Sequence, residues 1–340
     1  MQDSTFKPGR RQLLLGAAGT LAGTLAGTLA GMLPAASALA AESDYPSRPI
    51  TFICPWPAGG TADVTMRVLM QLAGRELGQS IVVDNRAGAS GMIGTKALAN
   101  ARPDGYTIGQ IPLSVTRFSQ LGVVQMDPLK DLTYLARASG QTFGMVVRSD
   151  ARFKTLADLV AYARANPGKV NYATAGVAGQ THVGMEEFAL NAGIKLNHIP
   201  YKGGAPALSD LLGGQVDLLA DSSSWAPYVE QGKLRLLATW GAQRLPRFGS
   251  TPTLKELGYH VVMDAPNGIG APRGLDPKIA LKLREALRRA ILSTEFKAAC
   301  EKIDAIVMYQ DADEYRKFVA DNYEHEKKLI ERLNLKQMLG

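Results

Sequence analysis

The sequence predicts an α/β protein of two lobes, each a mainly parallel sheet flanked by helices. Three observations predict it. Short β-branched strands alternate with longer segments of helical period, the alternation restarts after residue 143, and a Pro- and Gly-rich stretch at 260–272 precedes a helical end.

The elements follow in order. Ile50 to Cys54 is a β-branched and aromatic run bounded by prolines, hence a strand. After the loop Pro55-Trp56-Pro57-Ala58-Gly59-Gly60, Thr61 or Asp63 caps a helix carrying Val64, Val68, Leu69, Leu72 and Leu77, and Gly78 stops it. Ile81 to Asp84 is a strand, 85–91 a loop, Met92 to Ala101 a helix and Tyr106 to Gly109 a third strand. Strand, helix, strand, helix, strand implies right-handed crossovers.

The pattern restarts with a strand at Gly144 to Arg148, and Thr155 caps the next helix. A strand at Val170 to Ala173, a helix from Thr181 to Ala192, a strand at His198 to Tyr201 and a helix from Ala205 to Leu212 follow. Val216 to Asp221 and Leu234 to Thr239 are further strands. Helices at 276–293, 294–301 and 311–335 finish the chain. This gives a discontinuous first lobe, 41–143 plus 267–340, and a second lobe, 144–266. Two covalent crossings of this kind suit a hinged clamp; a single large α/β domain is the alternative.

Residues 1–40 read as an export signal. Lys7, Arg10 and Arg11 form a basic start, an apolar run with a Thr-Leu-Ala-Gly repeat extends from Leu13 to about Leu33, and Ala38-Leu39-Ala40 supplies small residues for cleavage near Ala40. The Arg10-Arg11 pair is of twin-arginine type. A retained transmembrane anchor is the alternative; Gly and Thr dilute the run.

Of 340 residues, 46% are apolar and 20% charged, as in a globular protein. The net charge of +7 falls to about +5 once the signal is removed. The basic residues are scattered, apart from Lys282, Arg284, Arg288 and Arg289 on one late helix, so nothing points to nucleic acid. Cys54 and Cys300 read as two buried thiols, with a disulfide as the alternative. No Cys/His spacing suits a metal, and no cofactor is expected.

Seven segments in series resemble the Bug family of periplasmic binding proteins, the TctC-like receptors of tripartite tricarboxylate transporters. They are Tyr45-Pro46-Ser47-Arg48-Pro49-Ile50; Pro55 through Asp63; Val83 through Gly91; Pro103-Asp104-Gly105-Tyr106-Thr107; Tyr172-Ala173-Thr174-Ala175-Gly176; Pro200 through Ala207; and Asp210 through Asp217. The resemblance covers essentially the whole mature chain. It departs at Trp56, where the family usually has Phe, at Gly88-Ala89-Ser90-Gly91 and at Ala265-Pro266-Asn267-Gly268. The departures fall on or near the cleft and bear on the ligand more than on the fold.

The resemblance implies a two-lobed periplasmic-binding-protein fold and a monomeric receptor. Its expected partners are a small-molecule carboxylate or amino acid and a membrane permease of the tripartite tricarboxylate type. A ligand-sensing partner of a membrane sensor would use the same cleft.

Ligands of open parallel sheets lie beyond the carboxyl ends of strands, where these loops fall. Gly59, Gly60 and Thr61 precede a helix, so free amides and the positive helix end can face an anion. Ala58 belongs to the same loop. Asp63 either caps that helix or meets the ligand. Gly88, Ala89 and Ser90 form a second amide-rich loop; Thr174, Gly176, Gln180 and Thr181 form a third. The resemblance implies that the three loops share one ligand, its carboxylate held by amides, hydroxyls and ordered waters.

Trp56 reads as a pocket wall or a core aromatic, and Tyr201 as a ligand contact or a hinge residue. Asp221 matches a family position near the ligand and there would favour an amine or hydroxyl. A periplasmic hydrolase or lyase using Asp63, His182 or Asp221 is the competing class. His182 beside Thr181 sits one turn into a helix with no carboxylate partner evident at loop positions, and Ser222-Ser223-Ser224 lacks a nucleophile elbow, so no catalytic residue is expected.

Overall fold

A computed structural model of the chain describes residues 45–338. The export-signal reading of residues 1–40 lies outside the described residues.

The chain opens with β1 (Ile50–Cys54), α1 (Thr61–Leu77), β2 (Ile81–Asn85), α2 (Met92–Ala99) and β3 (Thr107–Ile111). β1 pairs in parallel with both β2 and β3. Met66, Leu69, Met70 and Ala73 recur at helical spacing and bury one face of α1 against this sheet. Gly78, at φ 68, ends the helix in the left-handed region that a side chain would resist.

Next come α3 (Val115–Gln120) and β4 (Leu132–Thr142), in a stretch the sequence reading leaves unassigned. The second sheet follows with β5 (Gly144–Arg148), α4 (Leu156–Ala165), β6 (Asn171–Thr174), α5 (Gln180–Ala192), β7 (Asn197–Pro200), α6 (Gly204–Leu212), β8 (Leu218–Asp221), α7 (Ala226–Glu230) and β9 (Leu234–Thr239). Its order is β7-β6-β8-β5-β9; β6 is parallel to β7 and β8, and β5 antiparallel to β8 and β9.

The Pro- and Gly-rich return segment is a strand, β10 (Asp264–Pro272), antiparallel to β4 along its length and to β3 only from Gly268 to Gly270. Pro266 falls where one side of β10 is unpaired, which is why a residue without an N–H is tolerated there. α8 (Pro277–Leu292), α9 (Thr294–Glu301), β11 (Ala305–Gln310), α10 (Ala312–Arg332) and α11 (Leu335–Met338) complete the chain. The first sheet runs β11-β4-β10-β3-β1-β2. β4 and β10 are the strands that feed the chain into the second sheet and take it back.

The protein therefore has two lobes, each a sheet flanked by helices around its own core. Phe52, Leu69, Ile108 and Leu287 centre the first, and Met145, Tyr172, Phe188 and Trp240 the second. Fully burying a side chain of this size contributes roughly 1.5–3 kcal/mol, so each lobe carries its own stabilising core. Cys54 and Cys300 are free and buried in the first core, where burial pushes both thiols up to about 12. No helix among the described residues is long and apolar enough to cross a membrane.

Candidate functional site

Two groups of four helices differ in the residue that precedes them. α4, α8, α9 and α10 begin after Thr155, Asp276, Ser293 and Asp311, whose side chains accept hydrogen bonds from first-turn amides. α1, α2, α5 and α6 begin after Gly60, Gly91, Gly179 and Gly203, and none has a side-chain cap. In α2 the Met92 and Ile93 amides turn back to the Ala89 and Gly88 carbonyls, whereas α1 and α5 leave first-turn N–H groups open to another acceptor.

Gly60 and Gly179 line one cavity of about 90 Å³ between the lobes. Thr61 and Ala62 follow Gly60 along its wall, and Gln180 and Thr181 follow Gly179. The positive ends of α1, from the first lobe, and α5, from the second, therefore open onto the same space. The Thr61 hydroxyl is buried with no hydrogen-bond partner in the protein. Trp56, Phe143 and Pro266 supply apolar wall, and Ser90 reaches the cavity from the loop after β2.

Of the residues singled out from sequence, Trp56, Gly60, Thr61, Ser90, Gln180, Thr181 and Asp221 line this cavity. The others lie around it or behind it. Ala58 is exposed, and Gly59 borders a neighbouring cleft with Ser224 and Ile303. Asp63 is buried behind the Gly60 turn. It accepts from the Gly59 amide at 3.0 Å, from Arg67 Nε at 3.0 Å and from Asn85 Nδ2 at 2.7 Å. Burial opposes its charge, but these donors outweigh burial and hold the carboxyl below its ordinary value. Asp63 thus fixes the shape of the Gly59–Gly60 turn.

Gly88 is buried and Ala89 exposed, both off the cavity wall. With Ala89 and Ser90 at φ 47 and 51, the turn aims the Ser90 hydroxyl across the lobe boundary to the Val177 carbonyl at 2.8 Å. Gly176 sits against Ser90, so close that a Cβ there would lie 2.4 Å from Ser90 Oγ. Thr174 bonds His198 Nε2 at 2.7 Å, behind the loop. Tyr201 donates its hydroxyl to Asp210 at 2.6 Å and packs with the core behind α6, not in the cavity.

His182 is occupied structurally. Its Nδ1 accepts the Ala178 amide at 2.9 Å, and its ring stacks on His198 with centroids 3.8 Å apart. Burial is the main cause that lowers His182 to about 4 and His198 to about 3, so both rings are neutral near pH 7.

Gln110, Gln141 and Asn267 line the cavity and were not anticipated. They project from β3, β4 and β10. Gln110 Nε2 donates to Asn267 Oδ1 at 2.8 Å, Asn267 Nδ2 to Ser139 Oγ at 2.9 Å, and Gln141 Nε2 to Thr65 at 3.0 Å. Each is a polar residue inside a strand, and no local signal marks it, because only tertiary pairing buries it.

A family model described as tripartite tricarboxylate transporter family receptor matches residues 65–335. The UPF0065 protein in the gbd 5' region of Cupriavidus necator is 42% identical over 303 residues, covering 89% of this chain and 93% of its own. The structure of periplasmic binding protein BugD superposes with a TM-score of 0.81 at 28% identity, over 86% of this chain and 99% of that one. An R. palustris protein solved with adipate gives a TM-score of 0.81 at 28% identity, over 85% of this chain and 98% of that one.

Proposed function

This chain belongs to the tripartite tricarboxylate transporter receptor family, and we propose that its interlobe cavity grips the carboxylate of a small metabolite with main-chain donors from both lobes. One observation carries the reading: α1 and α5, from different lobes, both start after an uncapped glycine on the wall of one cavity. The partnerless Thr61 hydroxyl and the adipate found in a similar structure support a carboxylate as the occupant.

The same reading makes Thr61, Gln180 and Thr181 the side-chain donors, Ser90 a wall residue whose hydroxyl hydrogen is held by the Val177 carbonyl, and Trp56 the apolar wall, with Gly59, Asp63, Gly88, Ala89, Thr174 and Gly176 shaping the loops around them. The loaded, closed form is what a membrane permease would recognise, because only closure brings surfaces of both lobes into one fixed arrangement. The protein acts as an exported monomer, its signal removed near Ala40. It does no chemistry on the ligand: His182 is committed to Ala178 and His198, and Asp63 to Arg67 and Asn85.

Thermal-shift and calorimetric titration with mono-, di- and tricarboxylates, amino acids and aromatic acids test this. Stabilisation by a carboxylate recovered unchanged is the expected result. Turnover of the compound, or no response to any carboxylate, contradicts it.

A further inference from the structure

The turn that follows α9 belongs to the first lobe but is held by side chains of the second. Lys302 ends α9, and residues 302–304 lead into β11, an edge strand of the first sheet. Past the end of a helix, carbonyl oxygens lack intrahelical donors and carry the negative end of its dipole. Here donors come from the other lobe. Arg247, in the turn Pro246–Phe248 after β9, donates through Nη1 to the Lys302 carbonyl at 3.1 Å, and the Ser223 hydroxyl donates to the Ile303 carbonyl. Arg247 Nη1 also reaches Asp304 Oδ2 at 2.9 Å.

Asp304 stands at φ 55 with its side chain buried. Burial pushes its carboxyl above the ordinary value, and Arg247 pulls against that shift. The carboxylate thus draws its countercharge from the other lobe. Arg247 is divided between Asp304 and a carboxylate of its own lobe, Glu230 at the end of α7, whose Oε1 accepts from Nε at 2.6 Å. Separation of the lobes would leave the Arg247–Glu230 pair whole and break the Arg247–Asp304 pair, so only the second discriminates between a closed and an open arrangement.

The segment that supplies Ser223 also faces the cavity. Ser222 lines it beside Asp221, and the Ser224 hydroxyl donates to Asp221 at 2.9 Å. One short turn after β8 therefore meets the cavity on one side and grips the first lobe on the other.

We propose that Arg247, Asp304 and Ser223 form an interlobe latch that is made on closure and sets the receptor's affinity by favouring the closed arrangement. The inference rests on the interlobe cavity being where the ligand binds. None of the three lines that cavity, so they are positioning residues. They act on the ligand through the population of the closed form, and apparent affinity scales with that population.

The test is a double-mutant cycle read in ligand affinity, by calorimetry with the tightest binder among succinate, adipate, citrate, glutamate and benzoate. Arg247→Met and Asp304→Asn are the single variants; asparagine tolerates the left-handed backbone. Each should weaken binding by about fivefold or more, and the double variant should be no weaker than about twice the worse single, because either change breaks the same pair. Glu230→Gln leaves the interlobe pair in place and should hold affinity within about threefold. Circular dichroism checks each fold. Where Arg247→Met does not fold, Arg247→Lys keeps the charge without the fork that spans two carboxylates, and it should weaken binding by about threefold or more.

Wild-type affinity in both single variants, even with a loss in urea-unfolding stability, overturns the latch and makes the contact a fixed brace of the fold; the cavity reading stands. Losses that multiply in the double variant show Arg247 and Asp304 acting apart and also remove the latch. A loss in Glu230→Gln as large as in Asp304→Asn shows that Arg247 works through its own lobe. Absence of binding by every acid removes the cavity reading, and the latch with it.

Discussion

The Arg117 guanidinium, from α3 of the first lobe, donates at 2.7 Å to Oε1 of Gln180, the first residue of α5 in the second. Arg117 also donates to the Ala178 carbonyl at 2.8 Å and forms two 2.7 Å bonds with Glu326 on α10. The guanidinium is fully buried. One side chain thus ties the helix behind the first lobe to a residue of the cavity wall, and the lobes meet over a paired charge.

Arg117→Met should therefore cost roughly 3–5 kcal/mol in urea unfolding, because Glu326 is left as an uncompensated buried charge. Pairing it with Glu326→Leu should restore more than half of that loss. The double variant should still bind ligand about tenfold more weakly, since Gln180 loses its tether. Wild-type affinity in the double variant would show that the Arg117–Gln180 bond plays no part in holding the cavity.

Gly176 and Ser90 set how closely the lobes approach. At φ 147, Gly176 resists any side chain, and its Cβ would meet Ser90 Oγ at 2.4 Å. Gly176→Ala should weaken binding by about tenfold or more with a smaller loss of thermal stability. Ser90→Ala in that background relieves the contact but not the backbone, so recovery should be partial. Gly193→Ala is the control: it too has positive φ, but its Cβ enters open space, so affinity should hold. Calorimetric affinities for the three variants decide it.

Fluorescence isolates the cavity wall. Of the three tryptophans, Trp225 and Trp240 are fully buried in the second lobe, and Trp56 lines the cavity. A ligand-dependent change in emission should vanish in Trp56→Phe, with the dissociation constant altered by less than about threefold. A full-sized signal in Trp56→Phe would place the response elsewhere.

Acid should weaken the second lobe. His182 and His198 stack on each other and face Tyr172, Glu186, Thr174 and, through His182, Arg117. Both pKa values are depressed from 6.5, to about 4 and about 3, so the unfolded chain binds protons that the folded one refuses. Their contribution is present above about pH 6.5 and is lost as pH falls toward those values. Asp221 has the opposite sign. Raised from 3.8 to about 6, it favours the folded state most below about pH 4 and loses that contribution as pH rises through 6. The melting temperature of ligand-free protein should fall between about pH 7 and about pH 5, more gently in His198→Gln and more steeply in Asp221→Asn. Identical slopes for all three proteins would contradict these assignments.

The parts of the site that are legible in the sequence are those where periodicity breaks. Gly60-Thr61, Ser90, Gln180-Thr181 and Asp221 follow strands and precede helices, and their residue types suit exposed amides and hydroxyls. Gln110, Gln141 and Asn267 lie inside strands, where a polar residue ordinarily signals a solvent face; only tertiary pairing shows all three to be buried. β4 is hidden for the same reason. Its Arg137, Ser139 and Gln141 break the apolar pattern, yet the strand is central and buried between β10 and β11. Tyr201 sits on the right strand end, but Asp210, one helix later, captures its hydroxyl. Neighbours distant in sequence decide such cases, and local spacing carries no record of them.

The most direct test is a crystal structure of the protein with its tightest-binding carboxylate. The carboxylate oxygens should lie within hydrogen-bonding distance of first-turn amides of both α1 and α5, directly or through one water, with Ser90 and Thr61 alongside. A carboxylate bound to a single lobe, or outside this cavity, would contradict the account.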